Sequence, residues 1–83
     1  MRDRPTTLWI LQRLGKEVAC AVRLAPHGIE VDIAHNGSVV LTRVFENDDD
    51  ALGWADEKRS ARVAQGWSQV QIDPSLGPQE RLI

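Results

Sequence analysis

Two carboxylates stand two positions apart at Glu30 and Asp32, inside the alternating run IEVDIA. On a strand, such residues share one face at about 7 Å, a spacing that paired carboxylates use to divide acid and base work. The register developed below flanks Glu30 with Arg23 and Arg43, so a structural charge ladder is the favoured reading. Cys20 is the only thiol. A nucleophile needs exposure and a base beside it, whereas the alternation Val18–Cys20–Val22–Leu24 places Cys20 on an apolar row, as a small core residue. His27 and His35 bracket one strand, and about 20 Å of extended chain separates them, so they share no metal within one chain. Asp48-Asp49-Asp50 lacks the alternating oxygen ligands and the glycine of a calcium loop, and a helix start accounts for it. No Gly-rich phosphate loop, paired-cysteine knuckle or nucleophile elbow is present in the sequence. These residues predict a chain that is not an enzyme and carries no cofactor and no metal.

The elements that position these residues must come from 83 residues, one small domain that buries a limited share of its surface. Self-association is the expected source of added stability. A single cysteine excludes an internal disulfide and a multi-cysteine zinc site, and it fits a reducing, cytoplasmic setting. The uninterrupted apolar run of a signal peptide or membrane span is missing, so no membrane contact is expected. A formal net charge of -2 and a pI near 5.6 argue against a general nucleic-acid binder, which carries a basic surplus.

Residues 1–6 are polar and expected to fray. TLWILQRL (Thr7 to Leu14) reads as a strand, with Gly15-Lys16 as punctuation. EVACAVRL (Glu17 to Leu24) and IEVDIA (Ile29 to Ala34) alternate with period two. APHG between them is a turn, with Pro26 pre-setting φ and Gly28 tolerating a left-handed exit. Asn36-Gly37 is a type I′ hairpin signal, and SVVLTRVF (Ser38 to Phe45) is the partner strand. Counting outward from that turn sets Ile33 against Val40, Val31 against Thr42, Ile29 against Val44 and Glu30 against Arg43. The APHG turn sets Leu24 against Ile29, Val22 against Val31, Cys20 against Ile33 and Arg23 beside Glu30. An Arg23–Glu30–Arg43 ladder on the polar face follows.

Asn47 is a suitable N-cap, the three aspartates suit the positive end of a helix, and Lys58, Arg59 and Arg62 suit its negative end. Gly66 reads as the residue that ends the helix in a left-handed conformation. At about 100° per residue, Leu52, Ala55, Arg59 and Val63 form the sheet-facing stripe, with Ala51 at its edge. Trp54 falls outside it and is expected at a contact with a second chain or partner, because aromatic residues concentrate at such contacts. The outer sheet face is expected to carry Ala19, Ala21, Val39, Leu41 and Phe45, plus alternate residues of the first strand, a patch of the kind that marks association surfaces. WSQVQI (Trp67 to Ile72) alternates weakly and could add a fifth, edge strand. DPSLGPQERLI has two prolines, a glycine and no periodicity, so 73–83 is expected to be a mobile tail.

Cys20, Gly28-Ile29-Glu30, Asn36-Gly37, Phe45, Ala51, Ala55 and Gly66-Trp67, in that order, resemble a pattern in small uncharacterised bacterial proteins. The resemblance spans roughly residues 8–67. It implies a strand meander with a C-terminal helix and no activity. The chain is more remotely similar to the WGR domain, which also ends in a helix and an aromatic after glycine, but the Trp-Gly-Arg signature is absent.

The sequence therefore predicts a single α+β domain over residues 7–72: a four-stranded antiparallel meander with one C-terminal helix on one face. Its expected role is a non-enzymatic protein-interaction module that self-associates or binds a protein partner, with Trp54, Leu41 and Phe45 at the contact. The alternative is a nucleic-acid-binding regulator using Lys58, Arg59, Arg62 and Arg43.

Overall fold

Tight two-residue turns join the strands of the meander. Strand β1 (Thr6–Arg13) reaches β2 (Lys16–Ala25) through Leu14-Gly15, and β3 (Gly28–His35) reaches β4 (Ser38–Phe45) through Asn36-Gly37. All four turn residues have positive φ, at 52° and 77° and then at 50° and 88°, the geometry that matches the twist of paired strands. Asn36 also ties the turns together, since its Oδ1 accepts from the Glu17 amide at 2.9 Å. The computed structural model describes residues 5–70. The expected tail at 73–83, the end of the expected fifth strand and most of the expected frayed start lie outside the described residues. Thr6 already pairs with Val22, so β1 begins one residue earlier than the expected start at Thr7.

A helix, α1 (Asp48–Ala64), follows β4, and a short strand, β5 (Ser68–Val70), closes the sheet on the far side of β1. The sheet order is β4-β3-β2-β1-β5, with all pairs antiparallel. The protein is an α+β meander with one helix on one face. Asn47 caps the helix, its Oδ1 accepting from the Asp50 amide at 2.9 Å. Gly66, at φ 102°, ends it. The Gly66 amide donates to the Val63 carbonyl at 3.0 Å and the Trp67 amide to the Arg62 carbonyl at 3.1 Å, the paired bonds of a Schellman motif.

The β2–β3 register agrees with the sequence expectation throughout, with Leu24 opposite Ile29, Val22 opposite Val31 and Cys20 opposite Ile33. The β3–β4 register does not. His35 pairs with Ser38 and Ala34 with Val39, but Ile33 then pairs with Leu41, so Val40 is an extra residue. This β-bulge inverts the rest of the strand. Val31 faces Arg43, Ile29 faces Phe45, and Glu30 faces Val44. Leu41, Arg43 and Phe45 therefore share the helix-covered side with Val31 and Ile33, not the outer face. Arg43 leaves the expected ladder.

The core lies between sheet and helix and is built mainly by the sheet. Leu11, Val18, Cys20, Val31 and Ile33 are buried with Trp9, and the helix contributes only Ala51 and Ala55. Small residues let α1 approach the sheet closely, and Trp9 supplies the bulk beneath it. The Trp9 Nε1–H donates to the Ala55 carbonyl at 3.0 Å, giving a buried indole its required partner. The packed side of α1 is thus turned from the expected stripe. Leu52 and Val63 are exposed, while Trp54, Lys58 and Arg62 are half-buried. The reason is volume: a face of alanines over a tryptophan packs better than a face of leucine and valine.

Candidate functional site

The bulge and the turned helix together create the main side-chain cluster outside the core. Phe45, brought to the helix side, meets Trp54 with ring centroids 5.6 Å apart and planes tilted at 48°, an arrangement that aromatic pairs favour. The Arg43 guanidinium lies 5.3 Å from the Phe45 centroid and 5.8 Å from the Trp54 ring. Lys58 Nζ stands 5.2 Å from the same indole. Trp54 is therefore packed against its own sheet through Phe45, which corrects the expectation that it stands clear of it. It stays half-exposed. Phe45 and Trp54 also line an open depression of about 480 Å³, together with Arg43, Asp49, Asp50 and Glu57.

Among the described residues no helix covers the outer sheet face. Its register places Val39, Ala34, Ala19, Ile10 and Val70 in one line across all five strands. Of the expected patch, Ala19, Ala21 and Val39 are here, while Leu41 and Phe45 are not. Ile10, Ala34 and Val70 take their place. Ile10 belongs to the alternate residues of the first strand expected here; which set faces outward depends on β1 register, which shifts at a bulge between Thr7 and Trp9. Beside this apolar row runs a polar one. Arg23 bonds Glu30 twice, at 2.7 Å from Nε and 2.6 Å from Nη2, and reaches Asp32 at 3.7 Å. His27 meets the other Glu30 oxygen at 2.8 Å, and the Thr42 hydroxyl donates to Asp32 at 2.6 Å. The hydrogen bonds from Arg23 and then His27 hold the Glu30 carboxyl below its ordinary value. The two carboxylates are thus bound into a ladder whose third member is His27 rather than Arg43.

Cys20 is fully buried. Burial, helped by the charge of Asp32, pushes its thiol up to about 11, so no thiolate is available near neutrality. Among the described residues no group of three His, Cys, Asp or Glu side chains stands together as a metal site, and no helix is long and apolar enough to cross a membrane.

No family model, curated protein or solved structure matches the chain.

The four basic residues of the nucleic-acid reading are divided by the fold. Arg59 binds Asp56 at 2.9 Å, Arg62 donates to the Lys58 carbonyl at 3.3 Å, and Lys58 and Arg43 lie against Trp54. The edge of the sheet is less engaged. Among the described residues β4 is bordered by β3 alone, and Val39, Val40, Leu41 and Val44 are exposed at 58%, 60%, 46% and 44%. This eight-residue edge carries four such side chains and a single charge, Arg43, whereas several charges normally discourage pairing with another chain.

Proposed function

We propose that the chain is a small non-enzymatic interaction module of the cytoplasm that pairs with a second copy of itself along β4. The exposed apolar edge of β4 carries this reading. Edge strands leave alternate backbone N–H and C=O groups without a strand partner, and antiparallel addition of a second β4 would satisfy them. The strand suits a twofold arrangement. An axis at Thr42 sets Thr42 against Thr42, Val44 against Val40 and Arg43 against Leu41 of the other copy. An axis one residue further along would set Arg43 against itself, a destabilising like-charge pair. The bulge at Val40 lies at the end of this pairing, opposite Val44, and leaves Leu41, Thr42 and Arg43 as its regular centre. The free, buried thiol of Cys20 supports a reducing compartment.

The chemistry-bearing residues support a non-enzymatic role because each has a structural occupation: Cys20 in the core, Glu30 and Asp32 in the ladder, the aspartates at the helix start. Contact with nucleic acid through Lys58, Arg59, Arg62 and Arg43 is the weaker reading, since these cations are engaged by aspartate, carbonyl and aromatic groups of the chain itself.

Sedimentation equilibrium tests the proposal. The wild-type chain should sediment as a dimer, and a Val40→Lys/Val44→Lys double variant should sediment as a monomer with an unchanged far-ultraviolet spectrum, because both side chains are exposed. A wild-type chain that stays monomeric at every concentration, or a double variant that still dimerises, defeats it.

A further inference from the structure

The depression between β4 and the first half of α1 combines two aromatic rings with three carboxylates, Asp49, Asp50 and Glu57, against one guanidinium, Arg43. Aromatic faces are negative and attract cations, and the surrounding carboxylates add charge of the same sign. Two cations of the chain already settle on these rings: Arg43 lies over both Phe45 and Trp54, and Lys58 lies over Trp54. Asp50 is occupied at the helix cap, its Oδ2 accepting from Asn47 at 3.2 Å. Among the described residues Asp49 and Glu57 form no ion pair with Arg43 or Lys58. The rings therefore hold an internal guanidinium and an internal ammonium, while two carboxylates at the same depression face solvent.

We propose that this depression binds an arginine or lysine side chain presented by a segment of a partner protein, with Phe45 and Trp54 as the platform and Asp49 and Glu57 as the counter-charges. Arg43 is then an internal competitor, resting where the partner's cation is to sit. The excess of carboxylate disfavours a phosphate at the same place. The site takes Arg43 and Phe45 from β4 but neither Val40 nor Val44, so the lysine variants that test pairing leave its lining intact.

The test follows the three indole N–H signals of the full ¹⁵N-labelled chain by NMR during titration with acetyl-Gly-Arg-Gly-amide and, separately, acetyl-Gly-Glu-Gly-amide. The arginine peptide should shift the Trp54 signal saturably, with a dissociation constant in the millimolar range, and leave the buried Trp9 signal in place. The glutamate peptide should shift neither. Because Trp54→Ala removes a packed ring and can disturb the fold, two milder changes carry the test. Asp49→Asn/Glu57→Gln should weaken binding about two- to fivefold, and Arg43→Ala should tighten it by about the same factor. Absence of a Trp54 shift, equal shifts with both peptides, or weaker binding in Arg43→Ala overturns the proposal.

Discussion

Trp9→Phe tests the central packing argument. The change removes the Nε1–H that donates to Ala55 and the smaller part of a ring system that is 4% exposed. The Ala55 carbonyl lies inside α1 and keeps its helical amide, so no buried acceptor is orphaned. The lost hydrogen bond then costs about 0.5–1.5 kcal/mol. The lost ring volume, under a helix already held off only by alanines, costs on the order of 1–2 kcal/mol. Together these remove roughly 2–3 kcal/mol, a large part of the ~3–10 kcal/mol available to a domain of this size. With a denaturant slope near 1 kcal/mol per molar urea, the midpoint should fall by about 2–3 M. The control is Trp54→Phe, which keeps an aromatic pair with Phe45 and should cost less than about 1 kcal/mol. Urea unfolding followed by circular dichroism measures both. A loss below about 0.5 kcal/mol for Trp9→Phe, or a larger loss for Trp54→Phe, would show that Trp9 does not pin the helix.

Gly28→Ala should cost on the order of 2–4 kcal/mol in thermal or urea unfolding, because φ is +146° and the new Cβ would stand 2.6 Å from the Phe45 carbonyl oxygen, a backbone atom that cannot give way. Gly15→Ala, at φ +77° with nothing nearby, should cost only about 1 kcal/mol, and equal losses at the two positions would contradict the close approach of β3 to the end of β4. Cys20, with its thiol pushed up to about 11, should react with a maleimide only as fast as the domain opens, so labelling should accelerate with urea; rapid labelling in native buffer would reopen a chemical role. Glu30 has its carboxyl lowered in the folded chain, so it stabilises the fold above the ordinary glutamate value and loses that effect as pH falls through the lowered one. Glu30→Gln should therefore flatten the fall in urea midpoint between about pH 7 and about pH 3, and an unchanged pH profile would show that the Arg23–His27–Glu30 ladder adds nothing.

The strands, the turns at Asn36-Gly37 and Ala25–Gly28, the β2–β3 register and both helix ends were legible because each rests on local chemistry. Alternation, turn residues, a capping side chain and a terminal glycine act over a few positions. The bulge at Val40 was not legible. VVL offers apolar side chains whichever way it faces, so nothing in those residues marks one as extra. The face of α1 was misread for a related reason. Its leucine and valine outrank its alanines in hydrophobicity, but the deciding partner, Trp9, lies 46 residues away and rewards small neighbours. The surface cluster of Trp54, Phe45 and Arg43 inherits both effects. Its members were visible as candidates, while their meeting required the bulge and the turned helix at once.

β4 does not contain the information that decides which of its sides is inside. From Leu41 to Phe45 it presents Leu41, Arg43 and Phe45 one way and Thr42 and Val44 the other, and neither set is plainly the interior one. A straight ladder would have its own reward, Glu30 opposite Arg43, at about 0.2–1 kcal/mol. The bulged ladder has the Phe45–Trp54 pair, at about 0.5–1.5 kcal/mol, and the Thr42–Asp32 bond. The Phe45–Trp54 contact thus rewards the bulged pairing from outside the sheet, and the helix bears on the register of a strand that precedes it in the chain. Loss of the Trp54 ring would take away one reward of the bulged pairing, and the helix side of the molecule is written partly in the helix and not only in the sheet it covers.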